Sequence, residues 1–380
     1  MNKINDLIKE ICPNGVEYKK LEDCCNILDN KRKPVSKGVR EAGEYPYYGA
    51  NGIQDYISDY IFDGKYVLVG EDGSVQTPNG TPIVNWAIGK IWVNNHAHII
   101  EETDGVSLRY LYHYLQTVDV KDLIHGNIPK LNQSNFRNIK IAVPPLEVQE
   151  KIVKILDKFG ELEAELEAEL EARKNQYEFW REKLLNDGTE LVKLKEICSY
   201  SSDRISYDKL NEDNYVGVDN LLQNKKGKTK SYHVPTSGNS TQFEKNDILI
   251  GNIRPYLRKI WFADCYGGTN GDVLDIRVND TKKIYPRYLY YVLSSEAFFE
   301  YNNSNSKGAK MPRGDKQAIM NYEFAVPSIE KQIHIANVLD QFDKLINNIS
   351  DGLPAEIELR RKQYEYYRNK LLSFEELQNE

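Results

Sequence analysis

PKLNQSNFRNIKIAVPPLEVQEKIVKILDKF (129–159) and PRGDKQAIMNYEFAVPSIEKQIHIANVLDQF (312–342) are two versions of one passage in a single chain. Each leads from a proline and a basic residue through a short apolar run into a helix-patterned segment. The passage has company. RYLY stands at 109–112 and 287–290, and QYEFWREKLL (176–185) returns as QYEYYRNKLL (363–372). Residues 12–159 and 185–342 therefore carry one pattern in one order, about 180 residues apart. A period this long means duplicated domains, not a solenoid.

Outward from that passage the chain divides into four segments. Residues 1–145 open with a short amphipathic helix, its apolar phases Ile4, Leu7 and Ile11. β-type runs follow (YPYYGANGI, KYVLVG, GKIWV, HAHII, IKIAV), interrupted by one helical stretch, SLRYLYHYLQTV (107–118). Residues 186–327 repeat the plan with NYVGVDNLL, NDILIG, RKIWF, DVLDIRV and YEFAV, and with YPRYLYYVLSSEAFF (285–299) as the helix. Short strands broken by Gly, Asn, Asp and Pro, plus a helix, predict an α+β domain with a curved or barrel-like sheet.

Segments 146–185 and 328–380 read as long helices. Val148, Ile152, Ile155, Phe159, Leu162 and Leu166 alternate steps of four and three, a heptad seam. A second step of four, to Leu170, makes a stutter before Tyr177, Trp180 and Leu184 resume the phase. The slip falls inside a tetrapeptide repeat, LEAE-LEAE-LEAR (162–173). Phe159 to Gln176 is 17 steps, whereas Phe342 to Gln363 is 21. Gly352 and Pro354 should split the second region into helices 328–350 and 355–373. The expected architecture is two similar sheet-rich domains separated by long helices that pair as an antiparallel coiled coil, giving pseudo-two-fold symmetry.

The net charge of −7 does not exclude a nucleic-acid partner. Segment 146–187 carries −5 and segment 328–380 carries −3, while 1–145 carries −2 and 188–327 carries +3. Phosphate binding needs local positive potential only. Five cysteines without metal spacing read as free thiols of a reducing, cytoplasmic protein. MNKINDLIKEICPNG lacks the apolar run of a signal peptide, and no 18-residue apolar stretch predicts a membrane span.

The order of sheet-rich domain, PPLEVQEKI (144–152), long helix ending QYExxRxKLL, and the whole again resembles the specificity subunit of type I restriction-modification systems. The second start departs from the pattern as PSIEKQIHI (327–335) but keeps Pro327 and Gln332. The resemblance implies two target recognition domains, each reading one half of a bipartite, asymmetric double-stranded DNA site. It implies helices that space the domains and dock two methylation subunits, with restriction subunits joining through those. It also implies a non-catalytic chain that carries no cofactor, with S-adenosylmethionine, ATP and Mg²⁺ belonging to partner subunits. In this family the length of a tetrapeptide repeat in the central helix sets the gap between half-sites. Two other assignments stay open: a specificity subunit for a fused restriction–methylation polypeptide and, from a different class, a coiled-coil scaffold with protein-binding domains.

Base edges are read by Arg, Lys, Asn and Gln, and phosphates by cations, hydroxyls and free amides. By residue type and loop position the first domain offers Lys31, Arg32 and Lys33; Tyr47 and Asn51; Ser74; Asn95 and His96; and Asn127 with Lys130. The second offers Asn220, Lys226 and Lys228; Arg254, Tyr256 and Arg258; Asn270; and Lys307, Lys310 and Arg313. Gly70 and Gly251 end matching strands, so the loops after them correspond, and Lys130 and Arg313 both follow a proline. Lysine clusters are commonly only solvated surface, and most of the 26 tyrosines must be structural.

Traces of catalysis are missing. The one PP, Pro144–Pro145, is followed by Leu146, unlike an Asn/Asp-Pro-Pro-Tyr/Phe motif. GKT (227–229) lacks its leading glycine, since Leu222 stands there. His96 and His98 form H-x-H without a further Cys or His, which reads as packed or loop histidines and no metal site.

Overall fold

The computed structural model describes residues 10–73, 75–186, 190–347 and 352–377. The phases Ile4 and Leu7 lie outside them, and Ile11 packs against the first core. The chain forms two compact units, one of residues 1–167 with 356–380, the other of residues 168–355. Both are α+β, with a sheet-rich part and helices packed on it.

In the first unit six strands form a sheet in the order Asn26–Ile27, Ala97–Glu101, Phe62–Gly70, Val84–Val93, Ala42–Gly49, Gly52–Ile57. Only Ala42–Gly49 and Val84–Val93 run parallel. A ribbon of Glu17–Lys20 with Lys140–Val143 stands beside it. The second unit repeats that ribbon as Leu191–Lys193 with Glu323–Ala325. Its strands form two four-stranded sheets, one of which orders Cys198–Tyr200, Val273–Val278, Ile248–Gly251 and Ile260–Phe262. Gly70 pairs with Ala97 and Gly251 with Val273, so the repeat holds to the residue at this point.

The repeated motifs are the joints of each unit. Gln149 is fully buried; its amide donates to the carbonyls of Pro144 and Gly105, and its oxygen accepts from Ser107 N. Gln332 does the same with Pro327, Lys283 and Tyr285 N. A buried amide must satisfy both ends, and here it staples the start of a long helix to the RYLY helix. The second tyrosine-bearing joint is equally matched. Tyr110 donates to Ala142 O and Tyr288 to Ala325 O, each at 2.8 Å. Arg109 reaches Asp157 at 2.8 Å and Arg287 reaches Asp340 at 2.7 Å.

The central helix spans Leu146–Leu185 without a break. In the first unit its early turns pack antiparallel with the helix Leu353–Leu371. Phe159 meets Tyr364 and Tyr367, while Arg361 reaches back to Glu163 and Glu167, both at 2.5 Å. In the second unit its late turns pack with Ile329–Asn347, Tyr177 lying 6.1 Å from Phe342. The split near Gly352 is present, with residues 348–351 outside the description. The expected seam needs one correction. Trp180 is 37% exposed, whereas Leu156, Arg181 and Leu185 are buried. The helix serves its own sheet-rich domain as well as another helix, so its buried face is wider than a coiled-coil stripe. Arg181 fits inside because its guanidinium donates to Tyr291 O and Ser294 Oγ. Among the described residues no helix is long and apolar enough to cross a membrane.

QYExxR thus closes onto RYLY. In the first unit His113 is 2% exposed, with Nε2 2.8 Å from Asp157 and Nδ1 3.0 Å from the Tyr364 hydroxyl. Burial pushes the imidazole down to about 4, aided by Arg109 and opposed by Asp157. The unfolded chain takes up a proton near pH 6.5 that the folded unit refuses. Stability is therefore full above that value and falls as pH drops toward 4. We expect the first unit to lose about 2 kcal/mol between pH 7.5 and pH 5, and His113→Gln to flatten that slope. Urea unfolding at both pH values, followed by hydrogen exchange in residues 108–115, checks it; an equal slope in the variant refutes the assignment.

Candidate nucleic-acid interface

In the first unit the loop after Gly70 is the meeting point. Glu71 N donates to His96 O and Leu131 N to Glu71 O, both at 2.8 Å, and Gly73 N donates to Pro129 O at 3.0 Å. These bonds bring together the loops 71–73, 94–96 and 127–131, and Lys33 N to Val93 O adds the loop 31–33. Asn94, buried, ties in the hairpin 42–57 through Gln54.

Beneath them lies a buried ionic network. Glu71 accepts from Arg32 at 2.6 Å and from Lys130 at 3.1 Å. Arg32 also donates to Ala97 O and Asp29 O. Asp29 lies 2.7 Å from His98 Nδ1 and accepts from Ile99 N and Gln133. Burial alone would raise the Asp29 carboxyl, but the His98 hydrogen bond and the charges of His98 and Arg32 hold it below the usual range. Among the described residues Asp29, Glu71 and His98 bring ligand-type atoms within 4.8 Å of one another. The cations matched to that trio are Arg32 and Lys130. His98 is buried and stacked on Phe136 at 4.1 Å.

The nominated residues fall into two groups. Lys31, Lys33, Asn51, Asn95, His96, Asn127 and Lys130 are exposed on these loops, His96 paired with Asp72. Arg32 and Tyr47 face inward. The Arg32 side chain is 11% exposed, and Tyr47 is 1% exposed, with its hydroxyl accepting from Val35 N and Arg40 stacked 4.0 Å over its ring. Ser74 lies outside the described residues.

The second unit builds the same junction from different residues. Asn252 N donates to Asp272 O, Gly314 N to Asn252 O, and Arg254 N to Pro312 O at 2.7 Å. Glu71, Gly73 and Pro129 thus correspond to Asn252, Arg254 and Pro312. Gly73 has φ +77°, free for glycine; Arg254 holds φ +53° with a full side chain. Among the described residues five non-glycine residues have positive φ, and four of them, Asn224, Lys225, Arg254 and Arg258, lie in two loops. Those loops are joined by Asn224 N to Leu257 O and Lys225 N to Arg258 O. Such strain persists only where surroundings enforce it and gathers at functional loops. Its product is a stiff projection carrying Tyr256, 51% exposed.

Around it Arg254, Lys226, Lys307, Lys310 and Arg313 are exposed and Arg258 is half-buried. Asn270 accepts from Asp272 N and shapes the neighbouring turn. Two nominated residues are turned inward or aside. Asn220, 2% exposed, accepts from Gly217 N and donates to Tyr215 O and Thr229 O. Lys228 donates to Asp213 O and lies 5.1 Å over Trp261. Sequence reasoning missed the partners that set this geometry, Asp29, Asn252 and Glu296, since none stands in a motif.

Comparison with known proteins agrees with the duplication. Residues 13–172 and 186–359 each match the family described as Type I restriction modification DNA specificity domain. A Haemophilus influenzae chain named as type I restriction enzyme specificity subunit S.HindORF215P is 34% identical over 94% of this chain and 96% of its own length. The Escherichia coli EcoR124I/EcoR124II specificity subunit is 29% identical over 70% of this chain and 71% of its own. The crystal structure of a type I restriction-modification S subunit from M. genitalium shares the fold, with a TM-score of 0.57 at 14% identity over 94% of this chain and 96% of that one. With both halves matched and a relative aligned nearly end to end, the chain belongs to the specificity-subunit family of type I restriction-modification systems.

Proposed function

We propose that residues 1–145 and 186–327 are two target recognition domains that read the two halves of a bipartite, asymmetric DNA site. Residues 146–185 and 328–380 space them and dock two methylation subunits, through which restriction subunits join. The chain is the recognition component and not the enzyme; methyl transfer and ATP-driven cleavage belong to its partners. One observation carries this reading. The same backbone junction is built twice, at Glu71–Gly73–Pro129 and at Asn252–Arg254–Pro312, with unlike side chains around it. A repeated scaffold with diverged loops suits two different targets, because base edges are told apart by side-chain donors and acceptors.

Co-expression with the cognate methylation subunit, followed by genome-wide mapping of methylated bases, tests it. One bipartite motif with a fixed gap is expected. Exchanging residues 1–145 for those of another family member should alter one half only. Methylation or cleavage by the purified chain alone, or a change in both halves, would overturn the reading.

A further inference from the structure

Four of the cations around the second junction, Lys225, Arg258, Lys307 and Arg313, are matched with carboxylates of the same unit. Arg313 lies 3.3 Å from Asp272, and Arg258 and Lys225 lie 2.7 and 3.1 Å from Glu296. Lys307 pairs with Asp315. Two of these pairs are wet, with Arg313 and Asp272 52% and 43% exposed and Arg258 and Glu296 40% and 41%, while in the other two one member is more covered, Asp315 at 20% and Lys225 at 22%. Exposed pairs of this kind add little to stability. Their recurrence on every loop of the junction therefore asks for a reason outside folding.

DNA binding supplies one. Affinity for arbitrary duplex comes almost wholly from cations that meet phosphates and release counterions. A lysine or arginine already paired with a carboxylate must give up that partner before it can neutralise a phosphate and free the cations condensed there, and the carboxylate itself repels phosphate. On a wrong sequence the exchange of partners gains little. On the right one, base contacts fix the backbone against the loops and make the exchange worthwhile. Discrimination by opposing the wrong partner is a general route to specificity.

We propose that Asp272, Glu296 and Asp315 are specificity-determining residues of the second recognition domain, masking its phosphate-facing cations until a cognate half-site docks. The inference rests on the DNA-recognition reading above.

The test uses the full chain with its methylation partner and two duplexes, one carrying the mapped site and one with that site scrambled. Asp272→Asn with Asp315→Asn removes two masks while keeping side-chain size. Asparagine also caps helices well, so the bonds from Gln317 N and Ala318 N to position 315 persist. The scrambled duplex should bind about tenfold more tightly, and its log K against log salt should steepen by about two. Cognate affinity should gain less, so the ratio falls. Glu296→Gln, made separately, should move both quantities the same way and serves if the double variant does not fold. Unchanged scrambled affinity and salt slope in folded variants would overturn the proposal while leaving DNA recognition intact. Wild-type complex that bound neither duplex would overturn both.

Discussion

Asp29→Ala should destabilise the first unit by about 3–5 kcal/mol, the range for breaking a buried ion pair by removing one partner. The Asp29 side chain is 2% exposed and serves His98, Ile99 N and Gln133, with Arg32 at 3.6 Å. Its removal takes from the buried His98 its nearer carboxylate, leaving Glu71 at 3.7 Å, and strips the backbone amide of Ile99 of its side-chain acceptor. Asp29→Asn should cost less, since one oxygen still accepts from Ile99 N. The pH dependence has a definite sign. A carboxyl held low contributes stability above the ordinary carboxylate range and loses it as pH falls through its lowered value. Two compact units make a single global melt ambiguous. Hydrogen exchange at residues 97–101 in the first unit and 273–278 in the second separates them. A loss below about 1 kcal/mol, or an equal loss in both units, would show that the network is not the keystone described.

Deleting residues 166–169, one LEAE unit, should abolish methylation at the original motif and create a motif with the same halves and a shorter gap. Four helical residues span about 6 Å, and ten base pairs span about 34 Å. The expected change is one to two base pairs. The repeat makes the change tolerable locally. Arg361 bridges Glu163 and Glu167, which hold the same place in successive units. After the deletion Glu171 stands where Glu167 stood and Leu170 where Leu166 stood, so the clamp reforms with identical chemistry. The deletion also turns the helix about 40° beyond a full revolution, which the exposed, flexible Arg361 side chain can follow. Half-sites of altered sequence, or an unaltered gap, would show that the helix is no ruler.

Much of this was legible in the residues because duplication converts likeness into equivalence. The paired glutamines, the RYLY joints and the matched loops after Gly70 and Gly251 all stand where the repeat places them. Residue type could not report orientation. Arg32, Tyr47 and Asn220 have the chemistry of DNA contacts, yet each is held inward by partners far along the chain or by its own turn. Arg32 depends on Glu71, 39 positions away, and no spacing rule predicts such a pair. The widened helix face was hidden for a similar reason: a heptad marks helix-to-helix contact but not the sheet-rich domain packed beside it. The strained loops were equally silent, since an arginine at φ +53° looks like any other arginine in the sequence.

The closure of the first unit has a consequence for how the protein is made. Its core includes Leu371 and Leu372, and Val16 is bonded on both sides, to Glu375 and Leu377. Tyr18 donates to Phe374 O, 356 positions later. Residues 16–18 must therefore wait for residues 371–377 to be synthesised before their core is sealed. At about 5–20 residues per second, the 356 positions between Tyr18 and Phe374 correspond to a wait of about 20–70 s. During it the RYLY helix and the underside of the first ribbon stay open, while the second unit, contiguous from 168 to 355, acquires all its parts earlier. For these two units the order of synthesis and the order of completion run opposite ways, so the unit begun earlier is the one more in need of protection while it is made.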